Sequence, residues 1–519
     1  MKNSFFNKVL IVLCLGSVVY IACNKKVLDV PPPTVSELSF FKSEAEFRKA
    51  IIGAYAGIID YYSTGNHGGG GGGTGGSAML EVWFKPADDV TVTAASDAFE
   101  YFDNITPGAG KLDQAFRSSY VMIGRANKVI EKLREADPAI FVTTGMRETM
   151  EGEMLFLRSL GHFMLWNLFG TAPVDTIVVK SQDQIGLPSS TGTQLLDQCI
   201  VDLTKAAAQL PTSWGTSEVG RATKNSAFGL LGKSLVFRAN ATNGNAADYT
   251  AAIAAFNQIT GAALTANFND NFDATKENNV ESLFEFQAGK NMGGAPQNSW
   301  LSNDACDCGV AGSYFQMFYE GPSGAGGGIY RPSAKLKAAF DAADPRLPLT
   351  INPDATKNQF IRYIVGGDAL DGQVNSINNI RILRYADILL LKAEAVLKSN
   401  GSKSEAIGLV NQIRARARNM VGGGTAPADF SAAETNEGVI MGWIMDERLR
   451  EFAGEGVRWF DLRRWHLAKF ITLNNAFFSS NSPASVKFEN TQFPNKNLFF
   501  PIPLSETSRN VNIVQNEGY

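Results

Sequence analysis

Apolar residues recur at helical spacing through stretch after stretch of this chain, and the stretches come in pairs. The pattern predicts helices over 43–62, 112–136, 147–169, 193–209, 223–241, 248–260, 384–399, 403–419 and 436–452. Several are joined by short links such as "KSNGSKSE" (398–405). Paired helices with short links form hairpins, and each hairpin must bury its apolar side on the next. No fixed period of about 34 residues is found, so the repeat is tetratricopeptide-like but degenerate. The expected fold is therefore mainly α: a scaffold of stacked helical hairpins, decorated by long loops and a few short strands.

Single segments sharpen that picture. "RYADILLLKAEAVLKS" (384–399) is apolar nearly all round, which marks a buried helix, and Ala386, Ala393 and Ala395 let neighbours approach. At 43–62, Ser43 and Glu46 stand at capping-box spacing. "FGLLGKS" (228–234) falls short of a phosphate-binding loop, because the first glycine of that motif is replaced by Ala227; Gly229 and Gly232 read instead as close-packing positions. The glycine run "NHGGGGGGTGGS" (66–77) follows no strand and reads as a loop. Between 263 and 380 the helical period fades into Gly, Asn, Pro and aromatics, with "ESLFEFQ" (281–287) as a short strand. Such material drapes over a frame, and recognition residues tend to sit on loops held by one.

Composition removes several functions. The net charge is -4 and the pI about 5.7, so no basic face for nucleic acid is expected. Only His67, His162 and His466 are present, which argues against a zinc site or a histidine-based triad. No cofactor is expected. "CDC" at 306–308 reads as free thiols in a loop; a redox or metal pair there lacks a second ligand pair nearby. "SNDACDCG" also clusters Asn303, Asp304 and Asp307, oxygen ligands that suit calcium, but without EF-hand spacing, so no metal is assigned.

The first residues carry an address. Lys2 and Lys8 precede the apolar run "VLIVLCLGSVVYIA" (9–22), the length of a secretory leader core and short for a spanning helix. Cys23 follows directly, as the acylated cysteine of a bacterial lipoprotein does, although Tyr20 stands where such boxes usually carry leucine; an ordinary leader cleaved nearby is the other reading. The expected organisation is a signal peptide (1–22), a lipidated Cys23 with an extended proline-rich tether (23–37), and one composite domain (38–519). Within it the helical frame takes 43–260 and 384–465, and the loop-rich, ligand-facing insert about 263–380.

"MDERLREFAGEGVRWFDLRRW" (445–465) is where an enzymologist would look. Glu447, Glu451 and Glu455 are spaced by four, and glycosidases work with paired carboxyls. Yet each acid has an arginine three or four residues away, which pushes its pKa the wrong way for a general acid. The stretch reads as structural: Glu447, Glu451, Glu455, Arg458 and Asp461 lock the C-terminal helices in an ion-pair network, and no catalytic residue is assigned.

Read in order, the lipobox-like Cys23, "LDVPPP", "GRANKVIEKL" (124–133), "GEMLFLRSLGHFMLWNLFGTAPV" (152–174), "RATKNSAFGLLGKSLVFRA" (221–239), "NNIRILRYADILLLKAEA" (378–395), the charged stretch, "LFFPIPLSE" (498–506) and "VNIVQNEGY" (511–519) resemble the SusD/RagB family of outer-membrane lipoproteins almost end to end. The resemblance implies a non-enzymatic surface protein that binds oligosaccharides and delivers them to a SusC-like TonB-dependent transporter. A non-sugar nutrient such as a peptide is the alternative cargo, and a secreted glycoside hydrolase the remaining reading. Sugars need flat apolar faces and planar polar groups. Loop aromatics and amides supply them at Trp83, Tyr101 and Asn104, and at Trp300, Asn303, Tyr314 and Tyr319; the resemblance favours these two regions without fixing single residues.

Overall fold

The computed structural model describes residues 39–62, 78–92, 97–181, 184–288, 318, 330–354, 356–362, 378–420, 424–479 and 496–519. Ten helices build its frame: α1 (Glu44–Tyr55), α2 (Gly110–Glu135), α3 (Met146–Phe169), α4 (Gln194–Gln209), α5 (Lys224–Ala241), α6 (Ala246–Phe256), α7 (Tyr385–Lys398), α8 (Lys403–Asn419), α9 (Glu437–Glu451) and α10 (Arg458–Leu467). From α2 to α8 each helix packs on the next, α1 lies against α2 and α3, and α9 closes on α7 and α8. This stacking of hairpins is the tetratricopeptide-like arrangement that the apolar spacing predicts.

Local chemistry explains the element bounds. Thr223 and Ser226 form a reciprocal capping box at the start of α5, with Thr223 Oγ1 accepting from Ser226 N at 3.2 Å and Ser226 Oγ accepting from Thr223 N at 2.9 Å. Ser402 caps α8 and Asn436 caps α9. The box expected at α1 does not form. Ser43 makes no side-chain cap, and Glu46 Oε2 instead accepts from Lys42 N at 2.6 Å. The predicted 43–62 helix is also interrupted, passing through a 3-10 turn (Ala56–Ile58) before a last short helix, Ile59–Tyr62.

Burial follows the sequence pattern. α3 is buried on every face from Gly152 to Phe169, and α7 from Ala386 to Leu397 except Lys392. Ala386, Ala393 and Ala395 are fully buried. Gly229 and Gly232 lie within α5, and a side chain at Gly232 would stand 2.2 Å from the Phe256 ring of α6. Gly232 is therefore a contact position between α5 and α6.

Strands are short. β1 (Val90–Val92) pairs antiparallel with β3 (Tyr330–Pro332), Thr91 opposite Arg331. β2 (Ser282–Phe286) pairs antiparallel with β4 (Ile380–Arg384) through an irregular register, and β4 runs directly into α7. The described parts of 263–380 add no helical layer of their own. They send Phe268, Phe272, Glu281, Arg346 and Arg362 inward, all buried. Among the described residues no helix is long and apolar enough to cross a membrane.

Candidate functional site

The charged stretch folds into the interior. Glu447 and Glu451 sit one turn apart on α9, Glu455 follows its end, and Glu447 and Glu451 are fully buried. Glu451 takes Arg384 Nη1 at 2.7 Å and Arg346 Nη1 at 2.9 Å, and also Arg416. Glu447 takes Arg346 Nη1 at 2.7 Å, Arg450 Nη2 at 2.8 Å and Arg414 Nη1 at 3.0 Å. Glu455 takes Arg384 Nη2 at 2.8 Å and Arg362 Nη1 at 3.0 Å. Glu281, just before β2, shares Arg384 at 2.8 Å and Arg416 at 3.1 Å. On α10, Asp461 receives Arg448 Nε at 2.7 Å and Arg464 Nε at 2.9 Å.

These partners correct the sequence reading in one respect. Neighbouring arginines were expected to supply the pairs, but for the three glutamates only Arg450 does so. The other partners come from 346–416, brought in by the fold. Arg458 turns away from the glutamates altogether: its Nε meets Asp88 Oδ1 at 2.6 Å. Gly454 and Gly456, at φ 71° and 77°, turn the chain between α9 and α10. Burial alone raises a carboxyl pKa, but Arg346, Arg450 and Arg414 outweigh it and hold Glu447 down at about 2. Glu451, buried among Arg416, Arg384 and Arg346, is lowered further. Neither acid has a proton to donate at neutral pH.

Beyond Arg458 lies the region where sugar contacts were expected. Trp83 was read as part of an open loop. The structure places it in the last turn of a short helix, Ala78–Trp83, with its ring 3% exposed. The indole stacks on Tyr61 (centroids 6.4 Å apart, planes at 14°) and meets Phe460 edge-on at 6.2 Å. With Tyr62, Phe156, Phe460 and Gly456 it lines a largely apolar cavity of about 60 Å³, well below the several hundred Å³ of a ligand pocket. Tyr101 ends the helix Ala98–Tyr101 and is likewise buried, while Asn104 is exposed at φ 53°. Between them Phe102 packs on Trp459 at 5.4 Å. The segments that carry Trp83 and Tyr101–Asn104 thus clamp onto adjacent residues of α10, Phe460 and Trp459. Phe318 reaches the same corner, 5.4 Å from Phe84. Trp300, Asn303, Tyr314 and Tyr319 lie outside the described residues, as does Cys23.

Asp88 and Asp89, a few residues after Trp83, are both buried. Asp88 holds Arg458 and, at 2.6 Å, Lys335 Nζ; these cations overcome burial and set it at about 2. Asp89 accepts from Gly454 N at 2.9 Å, and burial, with the Asp88 charge adding, raises it to about 6. Glu100 accepts from Thr91 Oγ1 at 2.6 Å and Val92 N at 3.1 Å, and burial raises it to about 7. Sequence reasoning missed Glu100: nothing local announces that β1 and the helix Ala98–Tyr101 enclose it. Asp89 and Glu100 both bind backbone N–H groups, and neither lines the Trp83 cavity. Among the described residues no group of three or more His, Cys, Asp or Glu is placed to hold a metal ion.

A stack of helical hairpins with this aromatic corner defines a class. The fold matches a SusD superfamily protein of Bacteroides vulgatus with a TM-score of 0.71, over 92% of this chain and 100% of that one, at 24% identity. Family models agree: residues 358–519 match the SusD family, and residues 77–235 match "Starch-binding associating with outer membrane". The chain is 25% identical to SusD-like protein P2 of Formosa agariphila, over 93% of this chain and 94% of the relative. It is 30% identical to the starch-binding protein SusD of Bacteroides thetaiotaomicron over 141 residues, which is 27% of this chain and 22% of that one. In both matched regions, and in the fold as a whole, the chain is similar to the SusD/RagB family.

Proposed function

We propose that this protein is a glycan-binding lipoprotein of the outer membrane, held by acyl chains on Cys23 and facing outward. It captures oligosaccharides and hands them to a SusC-like TonB-dependent transporter. The family match carries the reading, above all the segment that matches a starch-binding, outer-membrane-associated model. The geometry is compatible with it: Trp83 and Tyr101 are buried and anchor their segments on α10 rather than meet a sugar, Asn104 is exposed at that corner, and Phe318, next to Tyr319, packs beside it. Residues 23–37 serve as the tether that spaces the body from the membrane, and Trp300, Asn303, Tyr314 and Tyr319 complete the sugar-facing surface.

The protein is a binder in this reading, not a hydrolase, because the acids best placed to suggest catalysis are saturated by arginine. The test is a glycan array with the soluble chain starting at Asn24, followed by calorimetry of Trp300→Ala on any hit. Binding without turnover of a labelled polysaccharide supports the proposal; turnover, or silence across the array, overturns it. Cys23→Ser is expected to move the protein from the membrane to the soluble fraction, and co-purification of a TonB-dependent barrel with the lipidated form tests the partner.

A further inference from the structure

A second opening borders β2, sharing Phe284 with the Trp83 cavity but much larger, at about 260 Å³. Its walls are the α4–α5 connection, from Thr212 to Thr223, and the turn at 278–280 that leads into β2. Trp214 stands in the wall with its indole fixed at the edge, Nε1 donating to Ala222 O at 2.8 Å, and the Arg221 guanidinium lies 3.7 Å from the ring centroid. Val219 and Val280 line it, each half exposed at 50%. Thr212 and Ser213 add exposed hydroxyls, while the Asn225 carboxamide is closed on the chain, its Nδ2 donating to Thr260 O at 2.8 Å and its Oδ1 accepting from Thr260 N at 3.2 Å.

The charges around this groove are already matched. Arg221 gives Nε and Nη2 to Glu153 at 2.8 and 2.5 Å. Glu285 pairs with Arg381 at 3.1 Å and accepts from Asn278 N. An ionic ligand meets no unmatched counter-charge here. A purely apolar ligand strands the exposed hydroxyls of Thr212 and Ser213, which costs free energy. A neutral ligand with apolar C–H faces and a rim of hydroxyls satisfies both sets of groups. Resting on the glycan-binding reading above, we propose that the Trp214 groove is a second saccharide subsite, taking one neutral sugar ring apart from the Trp83 corner. A chain held at two places dissociates more slowly than one held at either alone.

The test uses the mature chain with ¹⁵N-labelled tryptophan indoles, titrated with maltoheptaose, laminarihexaose and a trialanine peptide. The Trp214 indole resonance is expected to move with at least one of the sugars. Val280→Glu, at a half-exposed position, is expected to weaken that response by about threefold or more with an unchanged melting temperature. Trp214→Ala is expected to remove sugar binding at the groove, while other indoles still respond. If sugar moves other indoles and leaves Trp214 still, the subsite is overturned and the glycan-binding reading stands. If the peptide moves Trp214 and no sugar does, the groove serves a different cargo and the proposal fails. If no indole moves and calorimetry detects no heat with either sugar, both readings fall for these glucans.

Discussion

Two sets of buried carboxyls lie on either side of Arg458 and behave in opposite ways. Toward α9, Glu447 and Glu451 are ringed by guanidinium groups and stay ionised to low pH. Toward β1, Asp89 and Glu100 are buried without a close cation of their own, and burial raises them to about 6 and about 7. Depth of burial is similar in both. What differs is the arginine supply, and with it the pH at which each region changes charge. Glu447 and Glu451 therefore keep their charge across the physiological range, whereas Asp89 and Glu100, near Trp83 and Tyr101, are shifted toward it.

The strongest way to break this contrast is Glu451→Gln. It leaves Arg346, Arg384 and Arg416 short of a counter-charge in the interior, and a loss of about 3–5 kcal/mol in urea unfolding is expected. Ligand affinity of the fraction that folds should not change. Glu447 belongs to the same set: its lowered pKa contributes stability that is complete above the unfolded value of about 4.3 and lost as pH falls toward 2.

Glu100→Gln sharpens the other side. A carboxyl whose folded pKa is raised costs stability as pH climbs from its unfolded value of about 4.3 to the folded value of about 7, and the cost is constant above that. The variant is expected to be more stable than the parent by up to about 3 kcal/mol at pH 8 and to differ little at pH 4, as urea midpoints at the two pH values will show. An unchanged midpoint at pH 8 would remove Glu100 from the contrast.

Gly232→Ala tests the frame by packing alone. Its methyl meets the Phe256 ring, and a loss of about 1–3 kcal/mol with no pH dependence is expected in thermal melts. The smallest effect on stability belongs to Asn104→Gly, within about 0.5 kcal/mol, because the residue is exposed and glycine takes up its φ of 53° without strain; its effect should appear in glycan affinity by calorimetry.

The helices were legible in the sequence because period and caps are local. The predicted 403–419 segment is α8 itself, and 147–169 and 193–209 each start one residue from the observed helix. The α1 box failed because Ser43 and Glu46 have the right spacing but not the geometry, which Lys42 N redirects. The ionic character of 445–465 was legible as well, since five arginines and five acids in one stretch cannot all avoid one another. Which arginine meets which acid was not. Arg458 and Asp88 are 370 residues apart in sequence, and no spacing rule reaches that far. Trp83 was misplaced for a related reason: an indole before a Phe-Lys-Pro turn reads the same whether its face is open or covered by Tyr61 and Phe460.

The wiring of the arginine cluster also sets an order of events during synthesis. Arg346, Arg384, Arg414 and Arg416 all leave the ribosome before Glu447, Glu451 and Glu455, the acids that neutralise them. With Arg362, which pairs with Glu455, a nascent chain therefore carries five cations destined for its interior before these three acids are made. The end of α9 and the turn after it are the clasp, and a polypeptide stopped short of residue 447 has the packed hairpins without the acids that neutralise these arginines.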